Sequence, residues 1–143
     1  MEEEIIISIG NIGGHESFEF LKNYSLQRYG QKNTEEDALG MAAVEGITQI
    51  AQKGHPEAVK FLMDQSTHPA WNMREACADS FSVLYKGKEK IPKPVYDLLV
   101  QLTKDKNTNV QIAAYMSLDE IVGLDEANKK ILADARNKQV FGQ

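Results

Sequence analysis

The stretch Trp71-Asn-Met-Arg-Glu-Ala-Cys-Ala-Asp-Ser-Phe-Ser-Val-Leu84 decides the fold. At about 100° per residue, Met73, Cys77, Ser80, Phe81 and Leu84 fall on one side of a helix, with Ala76 at its margin. Glu75, Asp79, Ser82 and Lys86 fall opposite. The pattern is an amphipathic helix with small residues at its middle, where a neighbouring backbone can come close. Asn72 is placed to help cap its start, and Gly87 suits its stop.

The pattern recurs on both sides. Val110, Ala113, Ala114, Leu118 and Ile121 repeat Met73, Ala76, Cys77, Phe81 and Leu84 at a spacing of 37 (110 − 73). Leu39, Ala42, Ala43, Ile47 and Ile50 repeat them at 34 (73 − 39). Ile5, Ile9 and Ile12 fall on Ala43, Ile47 and Ile50 at 38 (43 − 5). Between the long stretches lie shorter ones, where Val95, Leu98 and Leu99 repeat Ala58, Phe61 and Leu62, again at 37 (95 − 58). Periods of this length mark solenoids, in which each unit buries its apolar face only by stacking on the next.

Composition bounds the function. With 143 residues, 42% apolar and 26% charged, the chain is expected to form one globular domain with a continuous core. No apolar run approaches the roughly 18 residues of a spanning helix. Glu2-Glu3-Glu4 stands where a secretion signal would be basic, so neither a membrane partner nor a targeting peptide is expected. A single cysteine, Cys77, excludes an internal disulfide framework and suits a reducing, cytoplasmic setting. It falls at a core position and is expected to be a buried thiol. A net charge of −5 argues against nucleic acid, because phosphate binding wants clustered Lys and Arg.

Taken in order, the single domain 1–143 divides into a partial first unit and helix (2–24), repeat elements at 34–53, 55–86 and 92–123, and a capping helix (125–138). Ile5-Ile6-Ile7 in isolation favours a strand, but the register with the later repeats favours a helix. Gly10, Gly13 and Gly14 weaken and end it, and His15–Tyr24 follows as a shorter helix with Phe18 and Leu21 inward. Ser25–Glu36 is the longest polar break, with Thr34 as the expected cap of the next helix. Gly40 and Gly46 lower that helix's propensity and are expected to serve close packing instead. In the last helix, capped by Asp125, the residues Ala127, Ile131, Leu132 and Ala135 are expected inward.

Alternating long and short helices at this period resemble HEAT-repeat proteins, particularly short bacterial HEAT-like repeats. The resemblance covers about Ile5 to Lys138. It rests on Asp105…Val110-Gln111…Ala113-Ala114…Leu118, on Met73-Arg74…Ala76-Cys77…Phe81, and on the junction Ile9-Gly-Asn-Ile-Gly-Gly-His-Glu-Ser-Phe. It implies an all-α fold, a right-handed α–α superhelix of about three helix pairs with an N-terminal half repeat and a C-terminal capping helix. It also implies a ladder of Asp–Arg pairs between units. His68 replaces the Asp in the middle repeat, Gln111 and Gly40 replace the Arg in two others, and one rung, Asp105 to Arg74, remains.

For chemistry the sequence offers little. His15, His55, His68 and Cys77 do not form a metal-ligand set by spacing, so no metal is expected. His15 and His55 read as helix-start residues at matching positions, and His68 as a solvent-facing turn residue. Gly10-Asn-Ile-Gly-Gly lacks the spacing of a phosphate loop, and neither a cofactor nor a catalytic residue is expected. The family includes lyase and glycosylase relatives, so an enzyme or nucleic-acid-processing module is the alternative to a binding role.

In the family the long-helix layer forms a concave face where partners dock. The outward strip here holds Met41, Glu45, Thr48 and Gln52, then Glu75, Asp79, Ser82 and Lys86, then Ile112, Met116 and Asp119. Glu45, Glu75, Asp79 and Asp119 read either as a solvated face or as an acidic groove for a basic amphipathic segment of a partner protein. Ile112 and Met116 would be its apolar anchor, unless the last helix covers them. Ile6 and Ile7 are expected on an uncovered N-terminal end, open to self-association, to a partner's cap or to the rest of a longer solenoid. The role expected from sequence is a non-enzymatic protein-binding scaffold or adaptor.

Overall fold

The computed structural model describes residues 2–29 and 37–140. Within them lie α1 (Glu2–Ile12), α2 (Gly14–Tyr29), α3 (Ala38–Gln52), α4 (Pro56–Gln65), α5 (Trp71–Tyr85), α6 (Lys93–Leu102), α7 (Thr108–Ile121) and α8 (Glu126–Val140). No strand forms among the described residues, so Ile5-Ile6-Ile7 is helical, as the repeat register required. The fold is all-α. No helix is long and apolar enough to cross a membrane.

The packing order follows the repeat. α1 packs on α3, α3 on α5 and α5 on α7, while α2, α4 and α6 each pack against the odd-numbered helices before and after them. The apolar stripes meet between these two rows. Phe18 and Leu21 of α2, Ala58 and Leu62 of α4, and Val95 and Leu99 of α6 share one buried cluster with Ile47, Phe81 and Val110. Each large side chain so buried stabilises the fold by about 1.5–3 kcal/mol. Cys77 is fully buried there, and burial pushes its thiol up to about 12, so it is a packing residue with no thiolate to offer.

Small residues set the spacing within the odd-numbered row. A Cβ on Gly10 would come within 2.5 Å of the Gly46 Cα, so α1 and α3 touch backbone to backbone. At the equivalent place between α3 and α5, the Thr48 hydroxyl donates to Ser80 Oγ at 2.8 Å. Between α5 and α7, Ser117 Oγ donates to the Ala78 carbonyl at 2.6 Å. Gly46, Ser80 and Ser117 are spaced by 34 and 37, the intervals of the sequence repeat. Gly10 is therefore a packing residue, and the helix break falls to Gly13. Gly40 serves a different neighbour, since a Cβ there would meet the Tyr29 ring at 2.9 Å.

Several boundaries differ from the sequence expectation. α2 continues through Ser25 to Tyr29, because Ser25, Leu26 and Tyr29 extend the Phe18–Leu21 stripe, and Ser25 and Tyr29 are buried. The cap of α3 is Asp37, which accepts from the Leu39 and Gly40 N–H groups at 3.1 and 3.0 Å. Thr34 lies outside the described residues. Asn72 is buried in the first turn of α5, where its Oδ1 accepts the Met73 N–H at 3.1 Å, and His68 Nδ1 accepts the Ala70 N–H just before the helix at 2.9 Å. His68 is accordingly half-buried and structural, not solvent-facing. In α8, Leu132 is buried but Ala127 and Ile131 are exposed, so that helix covers its neighbour along a narrow line.

Two bidentate ion pairs tie elements together. Arg74 donates through Nε and Nη2 to the Asp105 carboxylate at 2.8 and 2.9 Å, and through Nη1 to the carbonyls of His68 and Pro69. The one rung expected from sequence exists, and both its side chains are about nine-tenths buried (9% and 10% exposed). Burial alone would raise the Asp105 carboxyl, but the Arg74 guanidinium and the Asn107 N–H outweigh it and hold it below its ordinary value. Arg28 clasps Asp37 in the same way at 2.8 and 3.0 Å, a pair absent from the sequence reading because Arg28 was placed in a loop.

Candidate functional site

A groove of about 330 Å³ runs between α3 and α5, lined by Met41, Val44, Glu45, Thr48, Gln49, Gln52, Ala76, Asp79, Ser80 and Val83. Its position follows from the seam beneath it. Thr48 and Ser80 bring the two helices close, and the longer side chains on either side stand up as walls. Val44, Thr48 and Ser80 are buried and form the floor. The floor hydroxyls are committed: Thr48 donates to Ser80, and Ser80 Oγ donates to the Ala76 carbonyl at 2.9 Å. Met41 and Val83 are exposed apolar walls at 41% and 55%, and Glu45 and Asp79 are exposed acids on the same rim. Gln49 Oε1 is buried with no hydrogen-bond partner among the described residues, which leaves an acceptor at the groove.

The repeat sorts the expected strip into columns, three of which run through α3, α5 and α7. Glu45, Asp79 and Met116 occupy equivalent positions in α3, α5 and α7, and all three are exposed. In α1 the same column begins at Ile7, which is half-buried. The second column, Met41, Glu75 and Ile112, passes from exposed through half-buried to buried. Ile112 is only 7% exposed, which removes it as an anchor. It lies one turn from Asn109, which accepts a hydrogen bond from the α8 residue Gln139, and α8 packs on α7. The third column, Thr48, Ser82 and Asp119, runs the other way, from buried to exposed. Asp119 is occupied in closing its own helix, since it accepts the Leu124 N–H at 3.1 Å. Of the acids expected in the strip, the groove brings together Glu45 and Asp79.

Sequence reasoning missed Val83, because the wheel of α5 put it between the inward and outward faces. It also placed Ile6 on an uncovered end, whereas Ile6 is 4% exposed and packs in the core cluster. The exposed apolar residues of α1 are Ile5 and Ile12, at 57% and 78%. They match Ala43 and Ile50 of α3 in register, and those two are buried.

A second constellation lies at the starts of the short helices. His15 on α2 and His55 and Glu57 at the start of α4 present ligand-type atoms all within 4.8 Å of one another. The imidazole rings of His15 and His55 are parallel, with centroids 5.8 Å apart. Spacing along the chain hid this cluster. The matching positions of His15 and His55 in successive units were its signal, since a stacked repeat brings equivalent positions side by side.

No protein-family model matches the chain, and neither a curated protein nor a solved structure matches it.

Proposed function

We propose that this chain is a non-enzymatic protein-binding scaffold, a HEAT-like α–α superhelix that takes a basic amphipathic segment of another protein along the α3–α5 groove. The observation that carries this reading is the exposed column Glu45–Asp79–Met116 beside the apolar walls Met41 and Val83. Apolar walls reward the greasy face of an amphipathic helix, and the carboxylates on the rim attract its Lys and Arg. The rim charges act mainly on association rate and orientation, while the walls supply the burial. The net charge of −5 works in the same direction at long range.

The test is to screen an array of basic amphipathic peptides against the protein and against Glu45→Lys/Asp79→Lys. Binding that is lost in the double variant and falls with salt supports the groove. Equal binding by both proteins would remove it. Small-angle scattering tests the superhelix, which requires an elongated profile matching two stacked rows of helices.

A further inference from the structure

We propose that His15, His55 and Glu57 form a binding site for a divalent transition cation of the zinc class, bridging the starts of α2 and α4. The site is separate from the α3–α5 groove and does not depend on it. Imidazole nitrogen with one carboxylate is a donor set that suits zinc and its neighbours, and does not suit magnesium or calcium. The ligand atoms of the three residues already lie within 4.8 Å of one another. His15 Nδ1 is 3.7 Å from Glu57 Oε2. Two ligands at about 2.05 Å from one tetrahedral ion stand about 3.3 Å apart, so the pair needs to close by a few tenths of an ångström.

The surroundings of His15 fit the same use. Its other nitrogen, Nε2, lies 3.9 Å from Glu19 Oε1. Imidazoles that bind a metal through one nitrogen commonly present the other to a carboxylate, which orients the ring and strengthens the ligand. Glu19 is itself held by Lys22 at 3.3 Å. Across the site, the His55 ring packs against the buried Phe18 ring, with centroids 4.9 Å apart, which limits how far it can swing. His55 Nδ1 is buried with no hydrogen-bond partner among the described residues, so this imidazole has a nitrogen that the fold does not use. His15 and Glu57 are exposed (side chains 64% and 59%), so an ion can enter and the remaining coordination positions face water.

Such an ion would staple the first helix pair to the second. It would act where the Phe18 ring of α2 meets the Phe61 ring of α4 edge-on, 6.2 Å between centroids. The test is isothermal titration of chelator-stripped protein with Zn2+, paired with thermal unfolding with and without the ion. Visible absorption after loading with Co2+ reports the coordination geometry. One ion should bind per chain and raise the unfolding temperature, and His15→Ala or Glu57→Gln should each weaken binding by at least about tenfold. Both positions are exposed, so these variants should unfold at the wild-type temperature without metal. Absence of Zn2+ binding in the stripped protein overturns the proposal. Binding at wild-type strength in both His15→Ala and Glu57→Gln overturns it too, because the ion would then sit elsewhere.

Discussion

The seam between α1 and α3 and the seam between α5 and α7 occupy the same place in the repeat and are built from different chemistry. At the first, Gly10 and Gly46 remove both side chains and let the backbones meet. At the second, Ser117 keeps a hydroxyl and donates it to the Ala78 carbonyl, while Arg74 and Asp105 tie the adjoining turns. One seam is specified by volume and the other by polar bonds. A degenerate repeat can keep its geometry while the residues that enforce it change, provided each is small or satisfied.

That contrast predicts unequal responses to mutation. The largest effect is expected from Arg74→Ala, which strands the nearly buried Asp105 and removes the bonds to two turn carbonyls. It should cost about 3–5 kcal/mol in urea unfolding. Replacing both partners, as Arg74→Met with Asp105→Leu, should recover much of that loss, because neither charge is then left buried and unpaired. A double variant as unstable as Arg74→Ala would mean that the turn bonds dominate instead.

Volume changes should act at the other end of the molecule. Gly10→Ala drives a methyl into the Gly46 backbone, which cannot yield without separating α1 from α3, and should cost about 1–3 kcal/mol. Gly46→Ala should cost less, since its nearest obstacle is the Leu21 Cδ1 atom at 2.8 Å, the end of a side chain that can turn. Equal losses at the two glycines would argue that the seam is set by something other than backbone contact. Ser117→Ala is expected to cost roughly 1 kcal/mol, the worth of one buried hydrogen bond.

The smallest difference concerns pH. His68 titrates below its ordinary 6.5, first because it is partly buried and then because Arg74 is close. A folded state that binds a proton more weakly than the unfolded chain loses stability as protons are added. Stability should therefore slip as pH falls below about 6.5, and His68→Gln should abolish that first slope. Asp37 and Asp105 are also held below their ordinary value of 3.8. Their contribution is complete above that value and is lost as pH falls through their lowered ones. The acid window is thus common to both ends, and the His68 window belongs to the α4–α5 turn. A flat profile between pH 7 and 5 in the unmodified protein would contradict the role given to His68.

Much of the fold was legible because burial repeats. The position of Phe81 is core again at Ile47 and Leu118, that of Leu62 again at Leu99, and the alternation of long and short stretches gave the helix order. The readings that failed lie where local composition disguised a continuing helix, as in Ser25–Tyr29, or where a neighbour decides exposure. Ile112 is outward on its own wheel, and Ile6 looked terminal without the contact between α1 and α3. The groove was half legible. Met41, Glu45, Thr48, Gln52 and Asp79 followed from overlaying the helices, while Val83 and Gln49 needed the third dimension. The cluster of His15, His55 and Glu57 needed the stacking of one unit on the next, which no linear spacing encodes.

The central claim is that the α3–α5 groove is the docking surface, and amide chemical shifts test it most directly. A synthetic amphipathic helix with a leucine face and a lysine face would be titrated into isotope-labelled protein at low and at high salt. Shifts concentrated at Met41, Glu45, Gln49, Asp79 and Val83, weakening with salt, are the predicted result. Shifts centred elsewhere, such as on the exposed Ile5 and Ile12 of α1, would contradict it.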